Sequence, residues 1–312
     1  MMESKRVLMT FCLLFAAWGA LIPAQGQTPS DAIMMPARNA CLLANYNYGQ
    51  FDQYWEGDRL RGNLTIATVK RTTVLPMVAV GITDKLNLYA GVPYVKTLST
   101  DPNGGKFAGA QGFQDLGLAL KYEVLKKVTS KGELSVLGTV GYSTPITNYL
   151  PDYMPYSLGF GAPEVALRGI VQYKMAQGLY FRAALAHLWR GYAEAERDYY
   201  YNNGSYYTSW MDVPNAWSAE GILGAWLLDY SLRIELSYSN LKSTSGDDIR
   251  AYNAPQPTNR VVMGQAGLMA QYYLPPAKKL GVLVYHNQAL TGLNAPKIKN
   301  FGAGITYQFK FL

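Results

Sequence analysis

Apolar and polar residues alternate one by one through several segments of this chain, and this alternation constrains the fold more than any other feature. In residues 231–240 the apolar series is Leu232, Ile234, Leu236 and Tyr238, and the polar series is Arg233, Glu235, Ser237 and Ser239. The same pattern recurs in residues 113–124, 164–174 and 300–311. Because successive side chains of a β-strand point to opposite faces, the pattern predicts strands with one apolar and one polar face.

A soluble β-sandwich would also alternate, with its apolar face turned inward. Three features favour a transmembrane barrel instead. The segments run about ten residues, which exceeds the usual globular strand and matches a tilted membrane crossing. Their apolar faces end in Tyr or Phe, as interfacial girdles do. Their polar faces combine charges with small residues, as expected of a curved wall around a polar lumen: Gly117, Ala119, Gly302 and Gly304.

The connections between strands carry a second pattern. We predict about twelve strands, at residues 40–48, 64–82, 86–98, 113–124, 133–144, 163–174, 179–192, 216–228, 231–243, 260–273, 280–291 and 298–311. Connections after even-numbered strands are short and those after odd-numbered strands are mostly long, as in outer-membrane barrels with periplasmic turns and extracellular loops. The predicted fold is therefore all-β: a single transmembrane antiparallel β-barrel over residues 40–312, in the outer membrane of a Gram-negative bacterium.

The N-terminus has the features of a secretory signal peptide. Lys5 and Arg6 precede the apolar run 7–22, and small residues flank a cleavage position within 24–26. We predict that residues 1–26 are removed. The alternative is an uncleaved anchor, because the apolar run is slightly long for a signal.

The two ends of the mature chain carry separate predictions. Residues 27–39 precede the first strand and are predicted to be a periplasmic or lumen-plugging segment, because Ile33 to Pro36 are suited to folding into the lumen. The C-terminal strand carries an outward apolar stripe, formed by Ile305, Tyr307, Phe309 and Phe311. Such a stripe resembles the terminal strand by which the barrel-assembly machinery recognises its clients, so this machinery and outer-membrane lipid are predicted partners.

Composition excludes several other classes of protein. Hydrophobic residues make up 49% of the chain, yet the mean hydropathy is −0.06, so no helical span is expected beyond the apolar run 7–22. The aromatic fraction of 13% excludes a disordered chain. Loss of Cys12 with the signal would leave Cys41 alone, and no Cys and His cluster has metal-ligand spacing. We predict no metal, no cofactor and no disulfide.

The net charge of +7 does not indicate a nucleic-acid partner. Lysines are scattered over several predicted short turns, at Lys85, Lys126, Lys127, Lys131, Lys278 and Lys279. A basic stripe with interleaved stacking residues is missing from the sequence.

Two stretches resemble a known family. Residues 80–89, VGITDKLNLY, and residues 112–122, GFQDLGLALKY, are similar to the outer-membrane family named after the meta-pathway of phenol degradation, in which G-[IL]-T-D-x-L-x-L precedes G-[FD]-x-D-L-x-L-x-x-K-Y. The likeness extends from about Val74 to the C-terminus. The resemblance implies a transporter-like barrel for uptake of small hydrophobic, often aromatic compounds, and it does not identify the solute.

Charged residues of both signs fall on the predicted lumen face. They are Asp115, Lys121, Glu123, Glu133, Glu164, Arg168, Lys174, Arg182, Arg190, Glu220, Arg233 and Glu235. These side chains either line a path and set its selectivity or pair with one another and fill the lumen. Both interpretations stay open, because a barrel of about twelve strands is intermediate in width between filled eight-stranded barrels and open sixteen-stranded porins.

Aromatic residues cluster in the predicted extracellular loops. One cluster comprises Tyr199, Tyr200, Tyr201, Tyr206, Tyr207 and Trp210, and Trp55 lies in another loop. Exposed aromatics can bind flat solutes or sugars by stacking. The alternative is that they pack the loops onto the barrel rim.

His187 and His286 are the only histidines in the sequence, so a hydrolase site that uses a histidine base would need one of them. His187 shares its face with Phe181, Leu185 and Trp189, which places it toward lipid, and His286 has no partnering serine at a suitable spacing. We therefore predict that the chain is not an enzyme.

The leading functional prediction is a passive outer-membrane channel for small hydrophobic or aromatic solutes. No nucleotide-binding loop is present in the sequence to power movement. The alternative is a closed structural barrel with a filled lumen, whose loops bind an extracellular partner.

Overall fold

A computed structural model describes residues 28–102, 109–250, 255–276 and 278–311. The predicted signal peptide, residues 1–26, lies outside the described residues. The strands are β1 (Asn39–Phe51), β2 (Gln53–Glu56), β3 (Arg59–Gly62), β4 (Val69–Thr83), β5 (Leu86–Gly91), β6 (Tyr94–Ser99), β7 (Gln111–Phe113), β8 (Asp115–Thr129), β9 (Gly132–Pro145), β10 (Glu164–Met175), β11 (Leu179–Arg190), β12 (Tyr192–Glu194), β13 (Tyr200–Tyr201), β14 (Ser205–Tyr206), β15 (Trp210–Asp212), β16 (Ala216–Leu227), β17 (Leu232–Ser243), β18 (Val262–Tyr273), β19 (Leu280–Leu293) and β20 (Lys299–Lys310).

One antiparallel sheet closes on itself as a twelve-stranded barrel. Its order is β1, β20, β19, β18, β17, β16, β11, β10, β9, β8, β5 and β4, and β4 returns to pair with β1. Strands β6 and β7 continue the wall beyond β5 and β8. Pro93 lies in the break between β5 and β6, and Gln114 lies between β7 and β8. The seam is long, since β1 pairs with β20 from Asn39↔Lys310 to Gln50↔Lys299. The predicted all-β fold, strand number and antiparallel order are confirmed.

Side chains alternate across the wall as predicted. In β8, Leu118, Leu120 and Tyr122 are exposed on the outer surface, whereas Ala119 and Lys121 are buried inside. An outer surface of exposed apolar side chains is stable against lipid rather than water. In the part of the chain that the structure describes, no helix is long and apolar enough to cross a membrane.

Two predicted boundaries are wrong. Residues 64–68 lie outside β4, because Ala67 adopts a φ of 47° and the chain turns there, leaving Leu64 96% exposed. Lys126 and Lys127 lie within β8 rather than in a turn, since β8 continues to Thr129. A bulge between Glu123 and Leu125 shifts the register at this point and disguises the strand in the sequence.

Long and short connections alternate as predicted. The turn from β8 to β9 consists of Ser130 and Lys131, and that from β4 to β5 of Asp84 and Lys85. The loops at the opposite end carry structure of their own, because β2 pairs with β3 and β12 pairs with β15.

Candidate solute path through the barrel

The lumen face of β11 and β17 holds a dense charged group around Glu235. Its Oε1 accepts hydrogen bonds from the Tyr180 hydroxyl at 2.5 Å, from Arg182 Nη1 at 3.0 Å and from Arg233 Nε at 3.1 Å. Glu235, Arg182 and Arg233 are all at least nine-tenths buried. A carboxylate buried with two guanidinium groups is held in place, because removing one partner leaves an uncompensated charge.

The other predicted lumen charges fall at three levels. Near the extracellular end, Arg190 Nε donates to Glu164 Oε2 at 2.7 Å, and Asp115 accepts a hydrogen bond from the Tyr149 hydroxyl at 2.6 Å.

At the periplasmic end, Glu133 lies 3.5 Å from Lys126 and 3.9 Å from Lys174, and all three are partly exposed. Glu123, also partly exposed, lies beside the bulge of β8.

Arg168 on β10 and Glu220 on β16 lie on either side of β11 and form no direct ion pair. Each acts electrostatically on the other, and Glu220 Oε2 has no hydrogen-bond partner among the described residues. The predicted lumen charges therefore form one large group around Glu235 and Glu220 and smaller groups toward each end, rather than a single ring.

The N-terminal segment, residues 28–38, runs against the inside of the barrel wall. Lys121 Nζ lies 2.8 Å from Asp31 Oδ1, and these side chains are 0% and 2% exposed. Asn87 exchanges two hydrogen bonds with the backbone of Met35, at 2.8 and 2.9 Å. Thr139 donates to the carbonyl of Pro29 at 3.0 Å. Three strands of the wall therefore hold this segment.

Apolar side chains of the same segment fill pockets between inward-facing wall residues. Ile33 packs against the cluster of Tyr180, Ile222, Trp226 and Tyr273. Met34 contacts the cluster of Leu137, Ile170 and Ala184. Met35 is 1% exposed and packs with Cys41, Ala79, Tyr89 and Ala119. The segment therefore contacts wall residues on many sides of the lumen.

The extracellular end is covered by the loop of residues 146–163. Arg71, a lumen-facing residue of β4, donates to the carbonyls of Ser157 at 3.0 Å and Leu158 at 2.5 Å. Thr97 donates to the carbonyl of Tyr156 at 2.7 Å. Leu158 is buried, and burial together with the hydrogen bond to Asp115 raises the pKa of Tyr149 in this loop.

The predicted loop aromatics divide into two kinds. Tyr200 is buried, packs with Ala195 and Met211, and stacks on Tyr206 at 5.0 Å between ring centroids. Tyr207 is 84% exposed. The exposed or partly exposed members are Tyr199, Tyr201, Tyr206, Tyr207 and Trp210. Trp55, in the other loop, is buried against Ala289 and Ala295.

A second loop network surrounds Asp247. Its Oδ1 accepts from the backbone N–H of Asp248 at 2.7 Å and from Arg250 Nη2 at 2.9 Å, and its carbonyl accepts from the backbone N–H of Arg260 at 2.9 Å. Burial works to raise the pKa of Asp247, but the hydrogen bonds from Arg250 and Asp248 outweigh it and hold the pKa below its ordinary value.

Both histidines lie among aromatic rings on the outer face. His187 is 4.4 Å from Trp189 and 4.6 Å from Trp217 between ring centroids, and its Nδ1 has no hydrogen-bond partner among the described residues. His286 Nδ1 is 2.9 Å from the carbonyl of Asn300. Among the residues that the structure describes, no three His, Cys, Asp or Glu side chains are grouped to hold a metal.

Several residues that make contacts inside the lumen were not predicted from the sequence. Asp31, Asn87 and Arg71 contact partners that lie between 52 and 90 residues away in the sequence. Local periodicity could therefore not pair them. The only usable signal was the lumen-facing parity of Arg71 and Asn87 within their strands.

The closed twelve-stranded sheet and its apolar outer surface define an outer-membrane β-barrel. The chain is similar to the solved COG4313 outer membrane channel from Pseudomonas putida F1, with 14% identity, a TM-score of 0.70, and coverage of 91% of this chain and 100% of the other. Weaker likenesses are to the NanC porin (9% identity, TM-score 0.47, 85% and 98% covered) and the translocator domain of the autotransporter NalP from Neisseria meningitidis (11%, 0.42, 88% and 88%).

No family profile matches the sequence, and no curated protein is similar to it. The resemblance to the phenol-degradation family therefore stays a prediction. The likeness to the channel from Pseudomonas putida supports the fold of an outer-membrane barrel, as predicted.

Proposed function

We propose that this chain is a passive, non-enzymatic channel of the bacterial outer membrane for small hydrophobic or aromatic solutes. One observation carries the proposal: the middle of the lumen is occupied by the N-terminal segment rather than by wall side chains alone. A segment joined to the wall at one end can withdraw, whereas side chains of the wall cannot. The segment and the loop of residues 146–163 close the path at rest, and their displacement opens it.

Deletion of residues 28–36 tests the proposal. We expect the shortened protein to fold, since β1 to β20 are unchanged, and to conduct in planar bilayers far more often than the intact protein. Heat-modifiable gel migration reports folding of both proteins. A folded deletion variant with the same conductance as the intact protein contradicts the proposal.

A second candidate is a closed barrel whose loops bind an extracellular partner. The observation that favours it is the exposure of Tyr207 and Trp210 on the loops, together with the direct pairing of Glu235 with Arg182 and Arg233 inside. Substitution of Tyr207 and Trp210 by Ser distinguishes the two. The channel proposal expects solute flux through both the unchanged protein and this variant, whereas the second candidate expects no flux through either and loss of partner binding in the variant.

A further inference from the structure

The N-terminal segment reduces an excess of basic side chains in the lumen. The barrel wall contributes Lys121, Arg168, Arg182, Arg233, Glu220 and Glu235, all within electrostatic reach of neighbouring members of the group. Basic side chains therefore outnumber acidic ones on the wall. The remaining acidic member, Asp31, belongs to the N-terminal segment and acts on Lys121, Glu220 and Arg233.

Lys121 donates three hydrogen bonds to that segment. Its Nζ donates to Asp31 Oδ1 at 2.8 Å, to the Asp31 carbonyl at 3.1 Å and to the Thr28 carbonyl at 2.9 Å. An ammonium group has three N–H donors. Withdrawal of the segment would therefore leave a basic side chain on the lumen wall with its donors free for a solute.

Two neighbouring guanidinium groups already carry unused donors. Arg182 Nε and Arg233 Nη1 have no hydrogen-bond partner among the described residues, although the two residues are 4% and 6% exposed. Buried N–H groups are nearly always paired. An anionic oxygen is the acceptor that guanidinium groups prefer, and a carboxylate can accept from more than one donor.

We propose that the lumen binds a small organic carboxylate at Lys121, Arg182 and Arg233, and that Asp31 occupies the carboxylate position while the path is closed. This inference rests on the proposed channel function and narrows its solutes to carboxylates with an apolar body. Ile33, two residues from Asp31, packs against the cluster of Tyr180, Ile222, Trp226 and Tyr273. Asp31 and Ile33 thus present to the wall the two groups of such a solute, which competes for the same contacts and displaces the segment.

Sodium benzoate and its uncharged analogue benzamide test the proposal on the folded full-length protein in planar bilayers. We expect millimolar benzoate to increase the time spent conducting by about fivefold or more, the lower range of allosteric coupling, and benzamide to have no effect. Asp31→Asn should conduct without benzoate, with a reversal potential shifted toward that of the anion. Lys121→Met should lose the response to benzoate.

Matched substitutions at exposed positions control for charge alone. Asp52→Asn and Lys85→Met should behave as the unchanged protein, because both side chains are exposed and lie outside the central group. Equal responses to benzoate and benzamide, or a full response in Lys121→Met, would overturn the proposal. A protein lacking residues 28–36 separates the two levels of inference. If it conducts while the full-length protein does not respond to benzoate, only the carboxylate site is wrong; if it is folded and silent, the channel function fails as well.

Discussion

Gly302 and Tyr285 face each other across strands β19 and β20, and only a glycine leaves room for the ring. A Cβ atom on Gly302 would lie 2.0 Å from Cζ of Tyr285. The Tyr285 hydroxyl in turn accepts hydrogen bonds from Asn45 at 2.9 Å and Asn47 at 3.1 Å. The ring therefore joins β19 to β1 across the intervening strand β20.

Gly302→Ala should destabilise the barrel by about 1–3 kcal/mol, because overpacking forces the Tyr285 ring to move and break its hydrogen bonds. The measurement is the free energy of unfolding by urea in lipid vesicles. Gly138→Ala is the control, since a Cβ there meets nothing within 4 Å. Equal stability of the two variants would contradict the expectation.

Glu235→Gln should destabilise the barrel by about 3–5 kcal/mol, the range for removing one partner from a buried ion pair. The change leaves Arg182 and Arg233 without the carboxylate that both contact at 3.0 Å. The same urea titration measures the effect. Glu123→Gln, a partly exposed site at the periplasmic end, should change stability by less than about 0.5 kcal/mol. A small effect at Glu235 would show that its charge is not needed to hold the two arginines.

Arg71→Met should loosen the extracellular covering. Its guanidinium donates to the carbonyls of Ser157 and Leu158, so its loss should speed amide hydrogen exchange in residues 146–163 and increase conductance in a protein that also lacks residues 28–36. Arg61→Met is the control, because Arg61 forms an exposed salt bridge with Glu56 on a loop hairpin. Unchanged exchange in Arg71→Met would exclude Arg71 as the anchor of the loop.

Asp247→Asn should loosen the surrounding loop in a pH-dependent manner. The pKa of Asp247 is lowered in the folded protein, so its carboxylate stabilises the loop above the unfolded pKa of about 3.9, and this contribution is lost as pH falls through the lower folded value. Hydrogen exchange of residues 255–260 should therefore be faster in the variant than in the unchanged protein at neutral pH and similar at strongly acidic pH. Asp198→Asn, in another loop, should show no difference at either pH.

The strands of the barrel wall are predictable from the sequence, whereas most contacts inside the lumen are not. Strand positions follow from alternation between adjacent residues, so β9, β10 and β17 were predicted to within about two residues. Breaks in that local pattern caused the errors: the left-handed turn at Ala67 and the bulge near Leu125. Parity also placed Lys121 and Arg182 inside the barrel, as the structure does.

Depth and pairing inside the lumen could not be predicted. Alternation tells which face a side chain occupies but not how far along the barrel it meets a partner. Lys121 and Asp31 are separated by 90 residues, and Glu235 lies 55 residues from Tyr180. Such contacts depend on barrel closure and on the course of a segment without regular structure, and neither leaves a period in the sequence.

The seam between β1 and β20 also sets an order of events. The last strand of the chain must be present before the first can pair with it, and the N-terminal segment is joined directly to β1, where the Arg38 carbonyl accepts from the backbone N–H of Phe311 at 2.9 Å. Asn87, Lys121 and the cluster of Tyr180, Ile222, Trp226 and Tyr273 lie on β5, β8, β11, β16 and β18, so the segment makes its full set of contacts only once these strands have assembled. The interior of the barrel is thus completed late in assembly, by residues from near the start of the chain.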